Sequence, residues 1–351
     1  MGTPRSCAVA LGATFLLAIS AFGIPPDTPE FTFGAAGDFG TGRAFKATVG
    51  AVQQRNPDFF IALGDLTQSS TGEEAWCRYW NDHLTSTRLL IVPGNHDTDI
   101  ARYVRYCGSP FQAMITGTYP WQYYFDYPPA TALGRFIVVS PSIANGVPVV
   151  TDYAAGTPGF AFVANAIDNA RRSGLKWVVV SMHKNYIATF VKRNEVSTDR
   201  GRTFMTMLLD QKVDLILQGH EHGYARSKQL TTNPSTCPVL PVNTFNAACV
   251  VDGDNDLVKG AGTVIQIIST GGKGLRLVER SDSEHQYFVD NFRDADSETW
   301  GFGEFTVTPT ELSFSFVRSA GQGFDESFRI REQRFTEEMS PRHRGVSEQR
   351  E

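Results

Sequence analysis

The chain has 351 residues, 41% hydrophobic and 20% charged, with a formal net charge of −5. That is an ordinary globular composition, large enough for one big or two modest domains. No dense Lys/Arg block occurs, so charge argues against a nucleic-acid or anionic-membrane partner.

In chain order, residues 1–23 place Arg5 ahead of an apolar run that ends in small residues. This is the pattern of a secretory signal peptide, with Ala21-Phe22-Gly23 as the cleavage site. It is too short for a secure membrane span; the alternative is an uncleaved N-terminal anchor. No later run is long and apolar enough to span a bilayer. Cys7 falls in this leader, leaving Cys77, Cys107, Cys237 and Cys249. An even number in an exported chain suggests two disulfides. Three connectivities are open, and the local pairs, Cys77 with Cys107 and Cys237 with Cys249, are expected. No CxxC occurs, which argues against a thiolate zinc site.

Residues 30–38 read as a strand, 42–57 as a helix closed by Pro57, and 58–65 as a strand. A helix follows at 73–86, then a strand from 88 that runs into a loop at 97. YYFDY and 134–142 read as a strand pair, with the aromatics of 119–127 filling core. Residues 159–175 read as a helix ended by Gly174, 176–183 as a strand, 198–212 as a helix and 213–222 as a strand. Strands and helices in alternation argue an α/β core with buried strands. After residue 262, short alternating runs predict antiparallel strands in a second sheet packed on the first. Residues 231–260 read as a long polar loop clipped by its own disulfide, with DGDNDLVKG as a plain turn. Residues 336–351 are polar and expected to be disordered.

The informative feature is what stands where the apolar runs end. Asp38, Asp65, Asn95-His96-Asp97, His183, and the pair His220 and His222 close five separate strands. In open α/β sheets, ligands collect beyond the carboxyl ends of strands. Four of the seven histidines fall at these positions. Two histidines one residue apart on an extended segment point the same way. Aspartate, asparagine and histidine without cysteine suit borderline or hard divalent ions, and iron. Six such ligands are too many for one tetrahedral zinc and suit two ions sharing a carboxylate.

These residues carry a resemblance. GDFG (37–40), GDLTQ (64–68), GNHD (94–97), His183 and GHEH (219–222) resemble the five ordered blocks of the calcineurin-like metallophosphoesterases. GDxG in the first block and GHEHGYAR at 219–226 are similar to the purple acid phosphatase branch. The resemblance implies an α/β fold, a four-layer α/β/β/α sandwich over about 31–335, with a dinuclear site at the strand C-terminal ends. It implies that Asp38 and His222 hold the first metal, that Asp65 bridges, and that Asn95, His183 and His220 hold the second. His96 would be the catalytic proton donor. The metals would be divalent or mixed-valence iron, manganese or zinc.

One departure stands out. The purple enzymes carry a metal-binding tyrosine three residues after the bridging aspartate; here that residue is Gln68. The DxH branch has a histidine two residues after the first aspartate; here that residue is Gly40. Gln68, Asp97 and Tyr224 are therefore candidate accessory residues: Gln68 through its amide oxygen, Asp97 by orienting His96 or capping a helix, Tyr224 by reaching the site mouth beside Arg226. His83, His285 and His343 are expected to be solvated. The implied activity is exported, metal-dependent phosphohydrolysis of a small phosphate ester by a metal-bridging hydroxide, on monoesters first. Phosphodiesterase activity, or a non-catalytic binding protein of the same fold, are the alternatives.

Overall fold

The computed structural model describes residues 29–69, 71–143, 152–191 and 199–333. The leader read at 1–23, the tail read at 336–351 and His343 lie outside the described residues. The first half contributes β1 (Phe31–Ala36), α1 (Arg43–Arg55), β2 (Phe59–Ala62), α2 (Glu73–His83), β3 (Arg88–Ile91), α3 (Ile100–Cys107), β4 (Thr116–Thr118), β5 (Gln122–Tyr127) and β6 (Gly134–Val138). The second adds α4 (Pro158–Arg172), β7 (Trp177–Met182), α5 (Asp199–Asp210), β8 (Leu215–Gln218), β9 (Tyr224–Arg226), β10 (Gln229–Leu230), β11 (Val250–Asp252), β12 (Asp256–Val258), β13 (Val264–Ile268), β14 (Thr299–Val307), β15 (Glu311–Gly321) and β16 (Ser327–Arg331).

Two seven-stranded sheets result, in the orders β12-β16-β15-β14-β1-β2-β3 and β4-β5-β6-β7-β8-β13-β9. The apolar runs are continuous because their strands are covered on both faces, and successive side chains go to opposite sides. On β6, Phe136 and Val138 enter the core between the sheets, while Ile137 packs in the outer core with α4 and α5. Between the sheets, Phe33 stacks on Phe59 and Phe305 at 5.3 and 4.5 Å, and Phe136 meets Phe33 edge-on at 5.1 Å. On the far side of the first sheet, Phe45, Trp76 and Trp80 of α1 and α2 complete the four layers.

The C-terminal strands do not form a sheet of their own, as the sequence pattern had suggested. β13 pairs in parallel with β8, and β14 pairs antiparallel with β1, so the last strands extend both existing sheets. Alternation reports that a strand has two faces, not which edge it joins. Helix α3 is also absent from the sequence reading. It is eight residues long, capped by the Asp99 side chain on the Arg102 N–H, and tied to α2 by the Cys77–Cys107 disulfide. Cys237 and Cys249 form the second bond, within a segment that also carries β11 and β12 rather than plain loop. Among the described residues no helix is long and apolar enough to cross a membrane.

Candidate metal centre

Register brings the strand ends together. β1, β2 and β3 are parallel, with Ala36 beside Ala62 and Ala62 beside Ile91, so Asp38, Asp65 and Asn95 emerge in a row. In the other sheet, Met182 of β7 lies beside Gln218 of β8, which sends out His183 and His220 together. The Gly37 N–H donates to the Ile268 carbonyl at 2.8 Å and joins the two rims.

Each chain then turns sharply. Asp38, Asp65, Gln68, His220 and His222 all have positive φ, between 46° and 76°. Non-glycine residues seldom adopt this region, and such strain clusters at functional sites. Gly94 permits the tightest approach: a Cβ there would lie 2.1 Å from the backbone nitrogen of Asp65 and 2.2 Å from its Oδ1.

The donors form two groups. In one, His183 Nε2 lies 3.3 Å from Asp65 Oδ1, 3.2 Å from Asn95 Oδ1 and 3.2 Å from His220 Nδ1. In the other, His222 Nε2 lies 3.4 Å from Asp38 Oδ1. Metal–ligand bonds of about 2.0–2.2 Å place neighbouring donors roughly 2.8–3.6 Å apart at octahedral or tetrahedral angles. These separations match those edges, and the oxygen-and-imidazole set fits the group that the sequence implies.

The ring nitrogens are pre-assigned. His183 Nδ1 donates to the Leu63 carbonyl at 2.7 Å and His222 Nδ1 to the Gly274 carbonyl at 2.9 Å, leaving both Nε2 lone pairs for a cation. Asp38 Oδ2 accepts from the His220 N–H and the Ser269 hydroxyl, each at 2.7 Å, leaving Oδ1 toward His222.

Burial shapes the charges. It pushes Asp38 up to about 7, against the pull of His183, and pushes His222 down to about 4, helped by Arg276. Burial alone would raise Asp65 and lower His183; their attraction reverses both, so Asp65 lies below the usual carboxylate range and His183 rises to about 9. A metal cation among these donors would meet the same demand for positive charge and displace the proton.

His96 stands at the open edge, its side chain 59% exposed and its Nε2 3.9 Å from Asp65 Oδ2. Its backbone N–H donates to Asp65 Oδ1 at 2.9 Å. Asp97 does not cap α3, whose cap is Asp99. Its buried carboxylate accepts the N–H groups of Gly94, Asp65 and Leu66 at 2.8–2.9 Å and so clamps two ligand loops together. Tyr224 does not reach the site mouth. It is fully buried against Phe314, Phe316 and Phe324, with its hydroxyl 3.1 Å from Gln266 Nε2. Arg226 is likewise internal, paired with Glu326 at 2.7 Å. His83 and His285 are half-buried rather than solvated, His83 tilted against the Tyr79 ring and His285 stacked on Phe292.

Sequence reasoning missed Ser269, Lys184 and Arg276. Lys184 Nζ lies 3.4 Å from His220 Nε2, and Arg276 Nη1 is 3.2 Å from Glu221 and 3.3 Å from the His220 carbonyl. Lys184 follows His183 directly, which was a usable signal; the other two come from distant strands and loops.

A probable purple acid phosphatase of Arabidopsis thaliana, number 20, is 25% identical over 222 residues, 58% of this chain and 48% of that protein. The probable inactive purple acid phosphatase 24 of the same plant is 25% identical over 294 residues, covering 78% and 43%. The chain thus spans about half the length of the curated relatives it matches. Among solved structures, the purple acid phosphatase PPD1 from yellow lupin (Lupinus luteus) superposes with a TM-score of 0.61 at 18% identity, covering 88% of this chain and 55% of that one. That likeness is one of fold. The family model for calcineurin-like phosphoesterases matches residues 31–224, more than half of the sequence, and the chain belongs to that family.

Proposed function

We propose that this chain is a metal-dependent phosphoric ester hydrolase, and within that class an exported phosphomonoesterase. The observation that carries the reading is the convergence of donors from five strand ends at metal-ligand spacing. Asp38 and His222 would hold one ion, Asn95, His183 and His220 the other, and Asp65 would span them. When bound, the two ions would neutralise the phosphoryl oxygens and lower the pKa of a coordinated water. Asp97 fixes the Asp65 loop against the Asn95 loop. His96, exposed at the rim beside Asp65, is placed to give a proton to a departing alkoxide or phenoxide. Lys184 adds positive charge behind the second position, which suits an anionic substrate, while Arg276 pairs with the buried Glu221. The two disulfides favour an oxidising compartment and so support export.

A second reading, a non-catalytic binding protein, is favoured by Gly40 and Gln68, neither of which is the ligand found in the two enzyme branches. The test compares hydrolysis of p-nitrophenyl phosphate and bis(p-nitrophenyl) phosphate, with metal analysis of the same sample. Two metals per chain and faster monoester hydrolysis are expected. Preference for the diester would make it a phosphodiesterase, and two metals with neither activity a binding protein.

A further inference from the structure

Gln68 occupies the position of the missing phenolate, and its surroundings give it a role. Its backbone, at φ 50°, turns the side chain back toward Asp38 and His222. The amide nitrogen lies 3.1 Å from Asp38 Oδ1 and 3.2 Å from His222 Nε2, and those two atoms are 3.4 Å apart. Three atoms on three chain segments therefore form a triangle with sides of 3.1, 3.2 and 3.4 Å. That is the size of one face of a coordination polyhedron with bonds of about 2.1 Å. The amide nitrogen donates to both neighbours. A half-turn of the amide exchanges Nε2 for Oε1 and offers an oxygen lone pair from the same corner.

Gly40 supplies nothing equivalent. A Cβ added at Gly40 would meet only Lys273 Cδ at 3.8 Å and the Thr67 carbonyl at 3.9 Å, so a larger residue would fit there, but glycine itself offers no ligand atom. Neither Tyr224 nor Tyr103 stands in. Tyr224 is in the core, and the Tyr103 hydroxyl is bound to Thr67 Oγ1 at 2.7 Å.

We propose that Gln68 completes the first metal position through its carboxamide oxygen, which makes this a divalent site without a phenolate. The inference rests on the dinuclear reading above. An amide oxygen is a neutral, hard donor that suits manganese, zinc or iron(II). With Asp38 and a shared Asp65, two carboxylates face two cations; a phenolate would add a third negative charge and favour iron(III).

The experiment measures Mn²⁺ binding by titration calorimetry and metal retained after dialysis, for wild type, Gln68→Glu and Gln68→Met. Glutamate keeps an oxygen at the same reach; methionine keeps the length and shape without one. Wild type and Gln68→Glu are expected to bind two equivalents. Gln68→Met is expected to weaken one of them at least tenfold, about the lower end for disturbing a metal's ligand shell. Iron-loaded wild type is expected to be colourless in the visible, and iron-loaded Gln68→Tyr to gain a charge-transfer band. Two equivalents at wild-type affinity in Gln68→Met, or a visible band in iron-loaded wild type, would overturn the assignment while leaving the dinuclear reading intact. A wild type that binds fewer than two Mn²⁺ would instead remove the dinuclear reading, and this assignment with it.

Discussion

Gly94→Ala tests whether close backbone approach holds the centre together. The added methyl would sit 2.1 Å from the Asp65 nitrogen and 2.9 Å from its Cα, both backbone, and 2.2 Å from Asp65 Oδ1, a buried carboxylate oxygen held by the His96 N–H. Carbon makes comfortable contacts at about 3.5 Å, so the Asn95 and Asp65 loops must part by roughly 1 Å or more. That movement also strains the bonds from the Gly94 and Asp65 N–H groups to Asp97. Overpacking of this kind costs about 1–3 kcal/mol, and misplacing a catalytic group by about 1 Å costs on the order of 10²-fold in rate. Gly50→Ala is the control. It lies in α1, where a Cβ meets nothing within 4 Å, and should stabilise by about 0.5–1 kcal/mol. The assays are urea unfolding in chelator, metal content, and monoester kinetics on the metal-loaded protein. If Gly94→Ala kept two metals and a turnover within threefold of wild type, the argument from loop approach would be wrong.

His96→Ala should retain both metals yet lower kcat by about 10²–10⁴, the range for a positioned proton donor; loss of a metal equivalent would instead make it a ligand. Asp97→Ala leaves three buried N–H groups without their acceptor, at about 1–3 kcal/mol each, so unfolding in chelator should show a loss of at least about 3 kcal/mol together with weaker metal retention. An unchanged urea midpoint would dismiss the clamp. Replacing Cys77 and Cys107 by alanine opens a loop with a sequence separation of 30 and should cost roughly 3–4 kcal/mol on loop entropy, read as a lower Tm; replacing Cys237 and Cys249, separated by 12, should cost about 3 kcal/mol.

The linear sequence determined the part of this protein that is local. Buried strands announce themselves as apolar runs, and the residues that follow them are a matter of reading on. Asp38, Asp65, Asn95, His183, His220 and His222 were named in that way, and so were both disulfides from short separations. What the sequence left open depends on which segments become neighbours. Ser269 fixes Asp38 only because β13 pairs with β8 and the two rims meet at Gly37 and Ile268. Asp97 ties the Asp65 loop to the Asn95 loop, because three N–H groups from the two loops point at its carboxylate. Tyr224 and Arg226, two and four residues beyond His222, go to the core instead of the site, because β9 runs antiparallel to β13 under β15 and β16. The placing of Gln68 against Asp38 and His222 is of the same kind: its identity is in the sequence, but its φ of 50° and its meeting with residues 30 and 154 positions away belong to the folded chain. Hydrophobic period and turn residues act over a few positions and can be read singly; strand order, loop approach and burial are properties of the whole assembled core, and they decided the rest.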